Sequence, residues 1–429
     1  MKVFLDSIGC RLNQSEIETY ARQFHSAGHT LVASAEQADL VVVNTCDVTA
    51  AAASDSRGVI RGAARAGAGQ IVVTGCWSSL NSGAAVDLPG VARVVPNQDK
   101  DRLVADLLGV SMDVFDLEPV ARQPVPGARL RTRAFIKVQD GCNNRCTFCV
   151  TTLARGPGRS RTIEQILADI QAAVDGGCQE AVLTGVHLGS WGQDFSTPVQ
   201  LRRLVEAVLE RSDIPRLRLS SLEPWDLDAD FFRLWEDARL CRHLHLPLQS
   251  GCVATLRRMA RKTTPLSFAA LLDASRRMVP DMAVTTDVIV GFPGESEAEF
   301  AESLDFVRQM EFAGGHVFTY SARPGTAAAA MPDQVPYTLR KERNAQVRAL
   351  LAESASRYQE EFLGEVLPVL WESATAFGPD GWQLSGLTDN YLRVSALAPR
   401  QCWNRITPVQ MVGVKEGIFS GHLLEATCA

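Results

Sequence analysis

Three cysteines stand close together in the middle of this chain. Cys142, Cys146 and Cys149 form a C-x3-C-x2-C run. Three thiolates on one loop can hold three irons of a 4Fe–4S cube. A structural zinc site would take four protein ligands, and no fourth Cys or His follows at a suitable spacing. The run, here called the central cysteine set, therefore predicts an iron–sulfur cluster whose fourth iron is open to a small-molecule ligand.

A second group of cysteines is spread over the first part of the chain. Cys10, Cys46 and Cys76 each follow a short apolar run, and two of them come after a turn-forming glycine. Residues just beyond the ends of parallel strands gather at one rim of a sheet, where ligands bind. Buried cysteines can also act as small hydrophobic residues, which is the alternative interpretation. Their shared position favours a second metal site, and we call them the N-terminal cysteine set.

The elements that would position these cysteines alternate between strands and helices. In the first 115 residues, continuous β-branched runs predict buried parallel strands at 3–5, 40–43 and 71–73. Helical patterns fill 14–27 and 50–66 between them. This alternation predicts a doubly wound α/β domain.

A second α/β pattern runs from residue 134 to about 330. Six predicted strands cover 134–139, 180–184, 216–220, 243–248, 283–290 and 315–320. The helices predicted between them cover 163–175, 199–210, 228–238, 266–278 and 297–310, the last with a capping box from Ser296 to Glu299. Six β/α units predict a partial (β/α)6 TIM-like barrel with its site at the C-terminal ends of the strands. A flat doubly wound sheet is the main alternative.

The remaining chain predicts one long helix and then a small β-barrel. The helix covers 337–362, and five short strands separated by turn residues follow between 364 and 427. We expect three domains, at 1–118, 130–362 and 364–427.

Composition narrows the class of protein. The chain has 429 residues, 11 cysteines and a formal net charge of −6. We find no apolar run long enough to span a membrane and no secretion signal, so we expect a cytoplasmic protein with reduced thiols and no membrane partner. Basic residues nevertheless cluster around the central cysteine set: Arg122, Arg129, Arg131, Arg133, Lys137, Arg145, Arg155, Arg159 and Arg161 stand against one acid, Asp140.

This basic stretch, with a second patch at 256–262, predicts a phosphate-bearing substrate. The predicted C-terminal barrel is slightly acidic, which argues against RNA binding by that part of the chain.

Several motifs together resemble the radical S-adenosylmethionine (SAM) methylthiotransferase family over nearly the whole chain. They are the segments 9–13 (GCRLN), 44–46 (NTC), 75–76 (GC), 141–149 (GCNNRCTFC), 245–251 (HLPLQSG) and 291–295 (GFPGE). The segments 10–16 and 44–49 are most similar to the branch that acts on threonylcarbamoyladenosine in tRNA. Val150, Thr151 and Thr152 replace an Ile-Pro that the family often has after the third cysteine of the run.

The resemblance implies a fold, cofactors and partners. It implies a C-terminal TRAM-type β-barrel and two 4Fe–4S clusters. The central cysteine set would hold the cluster that binds SAM, and the N-terminal cysteine set would hold one that handles sulfur. SAM would lie against residues at the strand ends and in the central loop: Phe148, Gly185, Ser220, Ser221, Glu223, Gln249, Asp287, Gly291, Gly294 and Glu295.

The implied reaction is transfer of a methylthio group to N6-threonylcarbamoyladenosine next to the tRNA anticodon. The partners would be a tRNA anticodon stem-loop, an electron donor such as flavodoxin or ferredoxin, and a sulfur donor that the sequence does not identify. Three alternatives stay open: isopentenyladenosine in tRNA, a ribosomal-protein aspartate, or a non-enzymatic iron–sulfur RNA-binding or redox-sensing protein.

Overall fold

The computed structural model describes residues 1–115, 132–376, 378 and 381–424. The chain divides into two compact units. The first contains Met1–Gly177, Leu183–Val199 and Ser321–Ala329, and the second contains the rest of the chain. The predicted domain boundaries at 118, 130 and 427 lie outside the described residues, so the three domain ranges stay a prediction. No helix in the described ranges is both long and apolar enough to cross a membrane.

The first unit begins with a five-stranded parallel sheet of order β2-β1-β3-β4-β5. Its strands are β1 Lys2–Ser7, β2 Thr30–Leu31, β3 Leu40–Thr45, β4 Gln70–Gly75 and β5 Val91–Val94. Its helices are α1 Arg11–Ser26, α2 Ala50–Arg65, α3 Cys76–Leu80, α4 Ser82–Val86 and α5 Leu103–Leu108. Side chains alternate across a strand, so Val42 packs with the core under α1 while Val41 and Val43 pack with the core under α2. Both faces are therefore covered, as the doubly wound prediction requires.

The same unit continues with short elements around the central cysteine set. They are β6 Arg133–Lys137, β7 Gln139–Asp140, α6 Thr151–Arg155, β8 Arg159–Ser160 and α7 Ile163–Asp175. Strands β7 and β8 pair antiparallel. Strand β9, Glu180–Thr184, pairs with β6. Helix α7 begins at a capping box in which Thr162 and Gln165 satisfy each other's backbone N–H groups.

The second unit holds the remaining β/α repeats. Its elements are α8 Leu201–Arg211, β10 Arg216–Leu219, β11 His243–His245, α9 Val253–Arg258, α10 Pro265–Met278, β12 Ala283–Val290, α11 Glu297–Gln309, β13 Gly314–Thr319 and α12 Tyr337–Glu360. Strand β10 pairs with β9, and β11, β12 and β13 form a parallel sheet. An isolated parallel bridge between Leu217 and Leu240 joins β10 to the chain that leads into β11. The strands thus follow chain order, as expected for a partial (β/α)6 barrel.

Two predicted elements of this unit differ in the structure. The predicted α-helix at 228–238 is a 3₁₀ helix, Ala229–Glu236. Phe231 and Leu234 are three residues apart, so a 3₁₀ helix places both on one face, and both are buried. Strand β11 ends three residues earlier than predicted. Pro247 has no N–H to donate, and the N–H of Leu248 bonds to the Thr286 side chain at 3.1 Å.

The second unit ends in a closed β-barrel of order β14-β15-β16-β18-β17. Its strands are β14 Val366–Ala376, β15 Trp382–Thr388, β16 Arg393–Ala398, β17 Ile406–Lys415 and β18 Ile418–Leu423. Trp371, Leu384, Val394, Val409 and Phe419 fill the core of this barrel. The predicted fold class is confirmed: an N-terminal parallel sheet, central β/α units and a small C-terminal barrel.

Candidate active site

The N-terminal cysteine set lies at one rim of the first sheet. The registers of β1, β3 and β4 align their C-terminal ends, and one cysteine follows each end. Cys10 is exposed, whereas Cys46 and Cys76 are buried. Gly9 has φ 111°, and a Cβ there would lie 2.8 Å from Sγ of Cys46. A residue with a side chain would therefore disturb this cysteine site.

The thiols of this set interact electrostatically. Burial, with a smaller contribution from the charges of Cys10 and Cys76, raises the pKa of Cys46 to about 11. Burial also raises the pKa of Cys76, while the positive charge of Arg155 opposes that rise. Three neighbouring thiolates repel one another unless a cation lies among them, and soft sulfur ligands suit iron in Fe–S clusters. The donor set therefore fits a cluster.

In the described part of the chain, no three His, Cys, Asp or Glu side chains converge on a point where a single metal ion would bind. A cube of four irons does not require such convergence, because each cysteine binds a different iron.

A buried ion group lies beside the same rim and was missed by sequence reasoning. Arg155, at the end of α6, is 3% exposed. Its Nε donates to Sγ of Cys76 at 3.3 Å, and its Nη1 donates to Glu16 at 3.0 Å and to Asp140 at 2.9 Å. Lys100 Nζ lies 2.7 Å from Glu16 and 2.5 Å from Asp140. The two positive charges of Arg155 and Lys100 therefore neutralise the two negative charges of Glu16 and Asp140.

The central cysteine set lies on the loop between β7 and α6, and its three cysteines are half-buried. The Cys142 N–H donates to Gly156 O at 3.0 Å, and the Asn144 N–H donates to Sγ of Cys142 at 3.4 Å. The side-chain amide of Gln139 donates to Gly141 O at 2.8 Å and so holds the start of the loop. Phe148 is half-buried in the same loop.

Gly185 lies next to this loop in the first unit. A Cβ at Gly185 would come within 3.1 Å of Oε1 of Gln139, which accepts the N–H of His187 at 2.9 Å. The His187 ring nitrogen Nδ1 lies 3.3 Å from Nδ2 of Asn144. Gln139, Asn144 and His187 thus connect the strand end at Gly185 to the cysteine loop, and none of them was predicted as a site residue.

Three of the predicted SAM contacts in the second unit carry buried oxygen atoms without a hydrogen-bond partner in the described residues. They are Oγ of Ser220, Oε1 of Gln249 and Oδ1 of Asp287. Gln249 and Asp287 are neighbours, since the Gln249 N–H donates to Asp287 O at 2.8 Å. The second carboxylate oxygen of Asp287 lies 3.2 Å from Nε2 of His245. Buried oxygens without partners are costly, so they fit a ligand that carries amino and hydroxyl donors.

Other predicted SAM contacts are occupied by the protein or lie outside the interior. Ser221 is exposed. Both oxygens of Glu223 accept from Arg261, at 3.0 and 2.6 Å. The Glu295 carboxylate accepts the backbone N–H groups of Gly291 and Phe292 and thereby closes its own turn. Burial raises the pKa of this carboxyl.

The two glycines of that turn also have reasons within the protein. Gly291 has φ 69°, and a Cβ there would collide with Cγ of Arg340 at 2.1 Å. A Cβ at Gly294 would lie 3.5 Å from Nε of Arg258. Gly291 makes room for Arg340, whereas the contact at Gly294 would be an ordinary one and its φ of 73° is what favours glycine, so close approach of a ligand is not needed to explain either position.

The basic stretch is less available to a substrate than its charge count predicted. Arg155 is buried, Arg161 pairs with Asp169 at 2.6 Å, and Lys137 pairs with Asp101. Arg145 and Arg159 are exposed. Arg122, Arg129 and Arg131 lie outside the described residues.

The second basic patch is also partly paired. Arg258 bonds to Glu299 at 2.6 Å, and Arg261 bonds to Glu223. Arg257 and Lys262 are exposed. Each patch therefore offers fewer exposed cations than its sequence indicated.

Residues 136–307 match the family model described as the Radical SAM superfamily, and residues 2–95 match the model described as Uncharacterized protein family UPF0004. The fold is similar to that of the radical SAM methyltransferase TsrM from Kitasatospora setae, solved with cobalamin and a [4Fe-4S] cluster bound. The TM-score is 0.58 at 15% identity, over 76% of this chain and 77% of that one. The protein is a radical SAM enzyme, a class that uses SAM and a 4Fe–4S cluster.

Similarity over the full length narrows the class. The chain is 36% identical to "Threonylcarbamoyladenosine tRNA methylthiotransferase MtaB" of Bacillus subtilis, over 96% of this chain and 93% of that protein. It is 34% identical to the protein of the same name from Thermotoga maritima, over 97% and 96%. It is also 34% identical to "tRNA-2-methylthio-N(6)-dimethylallyladenosine synthase" of Caldicellulosiruptor saccharolyticus, over 84% and 80%. The chain belongs to the radical SAM tRNA methylthiotransferase family.

Proposed function

We propose that this enzyme transfers a methylthio group to the adenine ring of N6-threonylcarbamoyladenosine next to the anticodon of tRNA. The observation that carries the proposal is the similarity to the MtaB proteins, which extends over almost the entire chain. Two relatives named for dimethylallyladenosine that cover 97% or more of this chain are each 29% identical to it, a lower identity than that of the two MtaB proteins, which favours the threonylcarbamoyl substrate. Single bases are accessible in RNA loops, where they can be turned out of the stack into a pocket.

Within this proposal, the central cysteine set holds one cluster and the N-terminal cysteine set holds a second. When bound, the first cluster would supply an electron that cleaves SAM to methionine and a 5′-deoxyadenosyl radical, which is chemistry that no side chain provides. The protein holds the loop in place through the Gln139 amide, and the Asn144 N–H donates to the sulfur of Cys142. Such hydrogen bonds to sulfur tune a cluster.

SAM would be held chiefly by the unpartnered oxygens of Ser220, Gln249 and Asp287. Each can accept a hydrogen bond from an amino or ribose hydroxyl group of the ligand. Phe148, in the loop of the central cysteine set, and Gly185, directly after β9, stay predicted SAM contacts. We assign Glu223, Gly291, Gly294 and Glu295 a supporting role, because their side chains or turns are engaged with the protein.

The phosphates of the tRNA anticodon stem-loop would contact Arg145 and Arg159, which are exposed beside the central cysteine set. The reaction also needs electrons, and a small carrier such as flavodoxin or ferredoxin would supply them. A chain without a membrane-crossing helix in its described ranges and with a tRNA substrate would act in the cytoplasm.

The deciding experiment is mass spectrometry of tRNA nucleosides from a strain that lacks the gene, complemented with variants. Loss of 2-methylthio-N6-threonylcarbamoyladenosine, and its return with the wild-type gene, is the expected result. Loss of the methylthio-isopentenyl nucleoside instead would contradict the substrate. An unchanged tRNA profile with loss of methylthio-aspartate in a ribosomal protein would move the enzyme to a protein substrate.

A matched pair of variants tests the roles of the two cysteine sets. Cys46→Ala should still release 5′-deoxyadenosine from SAM slowly in the purified, reconstituted enzyme but form no methylthio product. Cys146→Ala should release none. Iron should fall by about half in each, since each cube holds four irons. Methylthiolated tRNA from the Cys46 variant would refute the role of the N-terminal set.

A further inference from the structure

One arginine makes direct contact with the N-terminal cysteine set although it lies at the end of α6, the helix that follows the loop of the central cysteine set. Arg155 donates from Nε to Sγ of Cys76 at 3.3 Å and from Nη2 to Oδ1 of Asn13 at 2.6 Å. Its Nη1 donates to Glu16 and Asp140. Every nitrogen of this guanidinium therefore has an acceptor, and one acceptor is a cysteine sulfur.

The charges around Arg155 are balanced without the cysteine. Glu16 and Lys100 are almost completely buried, at 3% and 0% exposed, and Asp140 is 4% exposed. Burial would raise the pKa of Glu16, but the nearby Arg155 and Lys100 outweigh it and lower the pKa to about 2. Two cations therefore face two anions, and the bond to sulfur is additional to this balance.

Two acceptors of the Arg155 guanidinium, Asp140 and Asn13, are in turn hydrogen-bonded to backbone next to a cysteine. Asp140 accepts the N–H of Gly141, the residue before Cys142, at 2.8 Å. Asn13 donates to Ile8 O at 2.8 Å and to Thr45 O at 3.2 Å, and Thr45 precedes Cys46. Both cysteine-bearing backbones are thus tied to the same guanidinium through one intermediate side chain.

We propose that Arg155 is a positioning residue that tunes the cluster on the N-terminal cysteine set through its bond to Cys76 and holds that set against the loop of Cys142. The inference rests on the proposed function, in which Cys76 binds iron. A cluster gains negative charge when it accepts an electron. A positive N–H donor at its sulfur stabilises that charge and raises the reduction potential.

The test uses two double variants that are both charge-neutral and differ only in which cation is lost. Glu16→Gln with Arg155→Met removes the donor at sulfur. Glu16→Gln with Lys100→Met leaves Arg155 on Cys76 and serves as the matched control. Both are made in full-length protein in which Cys142, Cys146 and Cys149 are alanine, so that only the N-terminal cluster is present after anaerobic reconstitution.

Midpoint potential, measured by redox titration followed by electron paramagnetic resonance, and iron content are the readouts. We expect the Arg155 pair to shift the potential to more negative values, or to lose iron, while the Lys100 pair stays close to the parent in both. Equal potentials and equal iron in the two pairs would overturn the proposal. Loss of iron from both pairs would also overturn it, because the group would then only support the fold.

If the N-terminal cysteine set does not hold a cluster, the experiment gives a different result than if only the role of Arg155 is wrong. If the parent without the central cysteines binds no iron at all, the N-terminal set is not a cluster site, and the proposed function of Cys10, Cys46 and Cys76 falls together with the inference. A parent that binds about four irons but shows no dependence on Arg155 refutes the inference alone.

Discussion

Replacing Asp287 with alanine should weaken SAM binding without removing iron. Oδ1 of Asp287 is buried and has no hydrogen-bond partner among the described residues. A ligand donor that bonds to this charged oxygen would contribute about 1.5–3 kcal/mol. Each 1.4 kcal/mol is tenfold in affinity, so we expect the dissociation constant to rise about 10- to 150-fold.

Ser220→Ala provides a graded comparison in the same experiment. Its hydroxyl is neutral, and a neutral hydrogen bond contributes about 0.5–1.5 kcal/mol, which corresponds to an increase of about 2- to 12-fold. Asp281→Ala is the control, because its carboxylate is a 56% exposed surface group paired with Arg242. Asp281 and Asp287 are thus close in sequence, but Asp281 is a surface carboxylate and Asp287 is a predicted SAM contact.

The assay is anaerobic equilibrium dialysis with labelled SAM on reconstituted protein, with iron measured in every sample. We expect Asp287→Ala to bind SAM most weakly, Ser220→Ala more tightly, and Asp281→Ala most tightly of the three. If Asp287→Ala retains its iron and binds SAM like the wild type, the unpartnered oxygens do not mark the ligand site.

Three further results are expected. Arg218→Met removes the cation that pairs with the buried Glu180 carboxylate at 2.7 Å and should lower the free energy of unfolding by about 3–5 kcal/mol in chemical denaturation of the apoprotein, with recovery when Glu180→Met is added; no recovery would contradict the assignment of the loss to that ion pair. Although burial would raise the pKa of Asp389, hydrogen bonds from Arg242 lower it, so its stabilisation is present above the unfolded pKa of about 4 and is lost as the pH falls through the folded value. The difference in melting temperature between wild type and Asp389→Asn should therefore shrink below about pH 4, and a constant difference would exclude this cause. Neutralising Arg145 and Arg159 together should reduce the salt dependence of tRNA binding by about two counterion units, and an unchanged slope would place the phosphate contacts elsewhere.

Patterns that depend on neighbouring residues were predicted well from the sequence. Helix α7 has the predicted bounds 163–175, because an amphipathic run and its capping box lie in one short segment. The predicted capping box of Ser296 and Glu299 is confirmed as well. The N-terminal cysteines could be grouped although they are distant in sequence, since parallel strands bring their C-terminal ends to a common rim.

The exposure of the basic side chains could not be predicted from neighbouring residues in the same way. Arg155 counted as one of nine basic residues near a substrate, but its partner Glu16 precedes it by 139 residues. A local count cannot show which cations meet a distant carboxylate in the interior. Lys100 was not singled out at all, because nothing near it in the sequence signals complete burial.

The polar residues at the strand ends differ in whether their side-chain oxygens accept hydrogen bonds from the protein. Glu223 and Glu295 were reasonable ligand contacts by position, yet both oxygens of Glu223 accept from Arg261, and Oε2 of Glu295 accepts from the turn at Gly291. Asp287 has the same kind of position, and its Oδ1 has no donor among the described residues. Position at a strand end is therefore not enough to identify a ligand contact. The decisive property is a buried acceptor that the fold itself leaves unpaired, because the fold tolerates such an atom only where a ligand or water completes its hydrogen bonds.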